Sequence, residues 1–159
     1  MNDFKSLREI EKKKHFGFFL PFYRNKNWIV VEDHINNTYA SDWDVKLEVF
    51  AGRYVLVDEK VIIGNWNNCL VELIQDLKTK NWGWFYKRKD WVLYGIWNDI
   101  DDIEPTSLHL IKNAELIKHV CSRNGFQQAA ICQKGWGITW NAVFEWGDLI
   151  KKGIAEKII

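Results

Sequence analysis

The stretch from Trp43 to Val61, WDVKLEVFAGRYVLVDEKV, decides how the chain folds. Two runs of alternating character, Trp43 to Phe50 and Tyr54 to Val61, flank a short link containing Gly52, and this pattern predicts a β-hairpin. Register then sets the chemistry, because side chains alternate faces along each strand. If Ala51, Gly52 and Arg53 form a three-residue loop, Phe50 opposes Tyr54, Glu48 opposes Leu56, Lys46 opposes Asp58 and Asp44 opposes Lys60. One face then carries Trp43, Val45, Leu47, Val49, Val55, Val57 and Val61, with Glu59 as its polar intruder, and belongs in the core. The other face gathers Asp44, Asp58 and Lys60. A two-residue loop would shift the partners by one, set Asp44 against Glu59 and mix polar with apolar residues on both faces. Since such a slip misplaces a whole face, the three-residue loop is preferred.

Two carboxylates and a lysine on adjacent strands suit phosphodiester hydrolysis. Mg²⁺ prefers oxygen ligands and keeps several waters, so one or two carboxylates suffice to hold it. A bound metal can polarise a phosphate oxygen and activate water, and a neighbouring ammonium can orient that water or neutralise charge developing in the transition state. A carboxylate followed two residues later by lysine occurs five times, at Asp3, Glu11, Asp44, Asp58 and Asp76. Only the pair Asp58 and Lys60 ends an apolar run, VLV, with an aspartate upstream on a facing strand.

With Asp44 followed fourteen residues on by Asp58-Glu59-Lys60, the sequence resembles the PD-(D/E)xK nuclease superfamily. The small single-domain members of that superfamily include Holliday-junction resolvases and nucleases of phages and mobile elements. The resemblance spans roughly residues 5 to 150 and is position-specific at Asp44, Asp58, Lys60 and Gly64-Asn65; Trp43 stands where the family motif has proline. It implies an α/β, restriction-endonuclease-like domain with a central mixed β-sheet flanked by helices. It also implies a Mg²⁺-dependent (or Mn²⁺-dependent) endonuclease acting on DNA, with structure-specific, resolvase-like cleavage among its forms. Asp44 and Asp58 would bind the metal through their carboxylates and Glu59 through its main-chain carbonyl, while Lys60 assists the attacking water. A glutamate of the first helix, Glu9 or Glu11, would stand beside the metal. Glu72 occupies the place of a further family glutamate, as support for the site or as a surface carboxylate.

Composition bounds these expectations. A length of 159 residues suggests one domain over 1–159. Ten Trp, nine Phe and five Tyr serve equally as core or as base-stacking surface. Twenty-two basic against 21 acidic residues leave a net charge of +1, so any nucleic-acid surface has to be a local patch. Cys69, Cys121 and Cys132, widely spaced and without a CxxC pair, predict reduced, buried thiols rather than disulfides or a zinc site. The N-terminus is charged from Asp3 to Lys14, with no apolar signal-like core, and no run reaches membrane-span length; the expectation is a soluble, cytoplasmic protein with no membrane partner.

Outward from the hairpin, residues 3 to 15 predict a helix with a Phe4, Leu7, Ile10 stripe, a solvated end at Lys12, Lys13 and Lys14, and a stop at Gly17. Phe18-Phe19-Leu20, broken at Pro21, reads as extended. Residues 27 to 33 read as a strand, and Asp42 as a loop cap. Cys69 to Gln75 reads as a strand or a short helix. The segment KTKNWGWFYKRKD that follows is the densest in basic and aromatic residues. Its Lys78, Lys80, Trp82, Trp84, Lys87, Arg88 and Lys89 are candidate nucleic-acid contacts, since basic side chains neutralise phosphates and aromatics stack on bases. The alternative is a hairpin whose aromatics pack inward.

Trp91 to Trp97 and Ser107 to Ile111 read as strands, and Asn113 to Ser122 as a helix stopped by Gly125. The tail reads as strand, glycine turn, strand and short helix, with Gln133, Lys134 and Trp136 in the turn as substrate-backbone contacts or plain loop. His15, His34, His109 and His119 lack the spacing of a metal pair and read as structural. DNA is the expected partner, and a homodimer stays open. The rival class is a non-catalytic nuclease-fold module that binds nucleic acid or a protein through its aromatic surface.

Overall fold

Strand β6, Trp91–Trp97, is apolar almost throughout and buried on both faces, which marks it as the centre of a layered structure. The computed structural model describes residues 4–36, 42–122, 127–133 and 137–159. A six-stranded sheet runs in the order β1 (Ile29–Asp33), β2 (Val45–Phe50), β3 (Arg53–Ile63), β6, β7 (Ser107–Lys112), β10 (Ala155–Lys157). Its β3 and β6 are parallel and its other neighbours antiparallel, so the central sheet is mixed and the fold is α/β with few helices. Parallel neighbours need a crossover. Here the chain leaves β3, passes through β4 (Asn68–Asp76) and β5 (Asn81–Trp82), and returns as β6. Those two strands join β9 (Gly137–Glu145) and β8 (Gln127–Gln133) in a second, antiparallel sheet ordered β5-β4-β9-β8.

Alternation along β6 divides the core. Leu93 and Trp97, with Val45, Leu47, Val55 and Val57 of the hairpin, pack against Phe18, Phe19, Phe22 and Tyr23 of the N-terminal helical segment. Val92, Tyr94 and Ile96 face the second sheet, packing with Cys69, Val71 and Phe144 and with Leu116 of α3 (Asn113–Cys121) and Leu149 of α4 (Trp146–Lys151). Each such side chain contributes about 1.5–3 kcal/mol when fully buried. Among the described residues no helix is long and apolar enough to cross a membrane.

The N-terminal segment departs from expectation. Gly17 does not stop the helix: α1 (Phe4–Lys14) continues through a π-helical turn at His15–Phe19 into α2 (Leu20–Asn25). Phe18-Phe19-Leu20 is therefore helical, and Pro21, which has no N–H to give, sits at the start of α2 directly after the π-helical turn, where the regular ladder is already interrupted. Lys14 is buried rather than solvated. Its ammonium donates to the carbonyls of Ile100 and Asp102 and lies 5.2 Å from the Trp97 ring centroid, clasping the acidic turn at 99–104 to the helix. Cys69 is buried as expected, but Cys121 is exposed; the Cys132 side chain lies outside the described residues. Lys134 and Trp136 also lie outside them, as does the side chain of Gln133.

Candidate active site

The hairpin turns more tightly than its alternation predicts. Phe50 pairs with Arg53 across Ala51-Gly52, Gly52 takes φ +75°, and its N–H donates to Glu48 Oε1 at 2.8 Å. A bulge at Val49 then moves the register again, giving Glu48↔Tyr54, Lys46↔Leu56 and Val45↔Val57. The one-residue change of loop and the one-residue bulge add to a shift of two from the expected pairing, and a shift of two keeps every side chain on its predicted face. Val45, Leu47, Val55 and Val57 are buried. The ladder ends at Val45↔Val57, and Asp44, just before the strand, is held against residues 57 to 59 rather than opposite Lys60.

Asp44, Asp58 and Lys60 meet on the face of β3 that looks toward the second sheet. The Asp44 amide donates to Val57 O at 2.9 Å, and its Oδ2 accepts the Glu59 amide at 2.7 Å, which fixes the carboxylate against the strand. Asp58 is only 5% exposed. Its Oδ1 accepts from Lys60 Nζ at 2.9 Å, and its Oδ2 is buried without a hydrogen-bond partner. Burial, then the charges of Asp58 and Glu59, push the Asp44 carboxyl well above the usual range. Burial alone would lower Lys60, but Asp58 and Asp44 outweigh it, holding the ammonium above its ordinary value and charged.

Of the two α1 glutamates, Glu9 is exposed, and Glu11 is the one whose charge reaches Lys60; Glu11 also pairs with Arg8 at 3.3 Å. Glu72 of β4 is half-buried. Its carboxyl is raised by burial, accepts the Trp84 amide, and feels the charges of Lys60 and Asp58. Among the described residues no three His, Cys, Asp or Glu side chains group as a metal cage. A buried and a half-buried carboxylate, with one oxygen lacking a donor, nevertheless suit a hard cation that keeps most of its water.

The segment 78–89 splits. Lys78, Lys80, Trp82, Lys87 and Arg88 are exposed, whereas Trp84 and Lys89 are buried. Trp84 lies under two ammoniums, Lys60 at 5.7 Å and Lys89 at 5.3 Å from its ring centroid. Lys89 Nζ donates to the carbonyls of Trp84 and Lys87, so it ties the turn together instead of facing solvent. Burial pushes it down to about 8, with the charge of Asp58 opposing. Gly83 permits this turn to seat: a Cβ there would stand 2.2 Å from Glu72 O. Asp42 accepts the Arg88 amide at 3.3 Å and so binds the same segment to the hairpin.

Glu59 points to the opposite face. Its Oε2 lies 2.7 Å from His15 Nδ1, its Oε1 accepts from Tyr23 OH at 2.7 Å, and His15 Nε2 lies 3.0 Å from Asp33 Oδ2. Burial raises the Glu59 carboxyl while His15 and Tyr23 oppose the shift. Burial likewise lowers His15, but Glu59 and then Asp33 reverse the sign and raise it, as befits an imidazolium donating from both nitrogens. Sequence reasoning gave His15 no partner. The signal was present in Glu59, a lone carboxylate on an apolar face, which requires buried donors from whatever packs on that face. His34 stacks on Trp43 at 4.1 Å, and His109 on Trp146 at 3.8 Å.

Comparison with protein-family models, with curated proteins and with solved structures gave no match.

Proposed function

We propose that the chain is a Mg²⁺-dependent nuclease of the restriction-endonuclease-like kind, which hydrolyses phosphodiester bonds in DNA at Asp44, Asp58 and Lys60 and accepts Mn²⁺ as a substitute metal. The observation that carries this reading is the buried Oδ2 of Asp58, without a donor and beside a second carboxylate whose own ionisation is suppressed. Such an arrangement is costly as it stands, since Lys60 pairs with Oδ1 alone and the buried Oδ2 has lost water without gaining a donor. A divalent cation removes that cost, and Asp44 and Asp58 are the residues that would hold it, with the Glu59 main chain alongside. When bound, the metal supplies Lewis acidity toward a phosphate oxygen and lowers the pKa of its water.

The chain's own residues supply the rest. The Glu59 amide aims the Asp44 carboxylate. Lys60 stays protonated, so its part is to orient water and to neutralise charge on the phosphate rather than to accept a proton. Lys89 and the Glu72 carboxylate hold the Trp84 turn, and the Trp84 ring in turn backs the Lys60 side chain. A solvated surface ion pair, the plain alternative, fits poorly with a 5%-exposed Asp58. A cytoplasmic setting, where DNA is met without crossing a membrane, goes with this reading. The test is cleavage of linear, nicked and branched DNA by purified protein with Mg²⁺ or with EDTA. Metal-dependent nicking of any of them supports the nuclease; none with any substrate or metal turns the reading to a non-catalytic binding module.

A further inference from the structure

The turn that carries Trp84 onto Lys60 also carries two aromatic side chains outward. Trp82 is 66% exposed and Tyr86 is 55% exposed, although large apolar rings in a monomeric protein are ordinarily covered. They pack edge-on, with centroids 4.7 Å apart and planes at 62°, so their pairing leaves ring face uncovered. Each lies two residues from Trp84, so its Cα is within about 8 Å of the Trp84 Cα and the pair flanks the residue that touches Lys60.

The mounting is rigid. Trp82 belongs to β5 and pairs with Ile74 of β4, Gly83 N–H donates to Leu73 O at 3.0 Å, and Trp84 and Phe85 are buried beneath. Within four residues of the pair along the chain are the exposed cations Lys78, Lys80, Lys87 and Arg88. Of the nearby acids, Asp76 accepts from the Lys78 amide and the Thr79 hydroxyl, and Asp90 from the Leu56 amide, while the Lys78 charge reaches Asp76 and the Lys87 charge reaches Glu72. Anchored aromatic rings with exposed cations along the same segment match the two chemistries of a nucleic-acid strand, base faces and phosphates. Inside a duplex, base faces are covered by their neighbours; only an unpaired base can offer one.

We propose that Trp82 and Tyr86 form a stacking platform for an unpaired base adjacent to the scissile phosphate. The substrate is then DNA with a single-stranded element at the cut, such as a flap, a gap or a branch, rather than continuous duplex. This rests on the nuclease reading of Asp44, Asp58 and Lys60, and extends it to the substrate class.

The test uses the whole chain in EDTA, so that binding is measured without cleavage, against three labelled DNA probes of one sequence: a single strand, its blunt duplex, and the single strand with central abasic positions. Wild type should bind the intact single strand more tightly than the duplex. Trp82→Ala and Tyr86→Ala should each weaken single-strand binding by about five- to 150-fold, the range that stacking of one base commands. Duplex binding and the dependence on salt should stay as in wild type, and Trp82→Phe should keep most of the affinity. On wild type, the abasic strand should lose as much as the alanine variants do, a comparison that needs no variant to fold. Equal affinity of wild type for single strand and duplex, or alanine variants that lose nothing, would overturn the proposal, as would the absence of any DNA binding at low salt. Mg²⁺-dependent cleavage is read separately. Cleavage without single-strand preference sinks the platform and spares the nuclease; single-strand preference without cleavage does the reverse.

Discussion

Asp44→Asn isolates the electrostatic tension at the candidate site. The substitution keeps an oxygen to accept the Glu59 amide, now at 2.7 Å, and removes a carboxyl whose ionisation is opposed by burial and by the charge of Asp58. Were both ionised, two carboxylates roughly 5 Å apart would repel by ~3 kcal/mol at an effective dielectric of about 20. Lys60 offsets part of this through its attraction to Asp44, so the expected gain in apo stability at neutral pH is about 1–2 kcal/mol, or roughly 2–8 °C in Tm for a chain of this length. The sign follows from linkage. The folded-state pKa of Asp44 is raised, so its favourable contribution is fully present below the unfolded value, about pH 4, and is lost as pH rises through the folded value. Wild type and variant should therefore melt together near pH 4 and diverge above it, the variant becoming the more stable. Thermal denaturation in EDTA across that range reads the difference directly. A variant that is equally or less stable at pH 7, or a gap that does not change with pH, would refute the reasoning.

The other predictions concern separate parts of the molecule. Tyr23→Phe deletes a fully buried donor to the Glu59 carboxylate and should cost about 1.5–3 kcal/mol in urea denaturation; a cost below ~0.5 kcal/mol would mean that Glu59 is not ionised there. Gly83→Ala drives a Cβ into the Glu72 backbone and should destabilise by at least ~1–3 kcal/mol while displacing Trp84, seen as a change in near-UV circular dichroism. Charge reversal at exposed Lys87 and Arg88 should weaken DNA binding and flatten the slope of log K against log salt by about one unit for each phosphate no longer neutralised; an unchanged salt series would remove both from the interface.

The faces of the hairpin were legible because alternation fixes them and the observed two-residue shift preserves them. The register was not, because a bulge at Val49 leaves no mark in a run of alternating residues. The strand at 91–97 stood out by its continuous apolar character, and β7 and α3 by period and break. The helix through Phe18 to Leu20 was hidden because Pro21 looks the same in a first turn as at a strand end. Pairing across the fold was least visible. Lys14 to the carbonyls of Ile100 and Asp102, Lys89 to the Trp84 carbonyl and His15 to Glu59 are pairings in which the local sequence of Lys14, Lys89 and His15 suggests solvent, and only the packing of the N-terminal helices and of the β4–β5 crossover brings them inside.

The central claim is that buried Asp58 holds a metal that cuts DNA. Asp58→Asn keeps the volume and an acceptor for Lys60 while removing the anionic ligand. Wild type and variant should be compared for Mg²⁺-dependent cleavage of the same branched and single-stranded substrates, at equal folded concentration. The account predicts a fall of at least about a hundredfold in the variant, with metal-free DNA binding kept or strengthened; equal cleavage by the two proteins would contradict it.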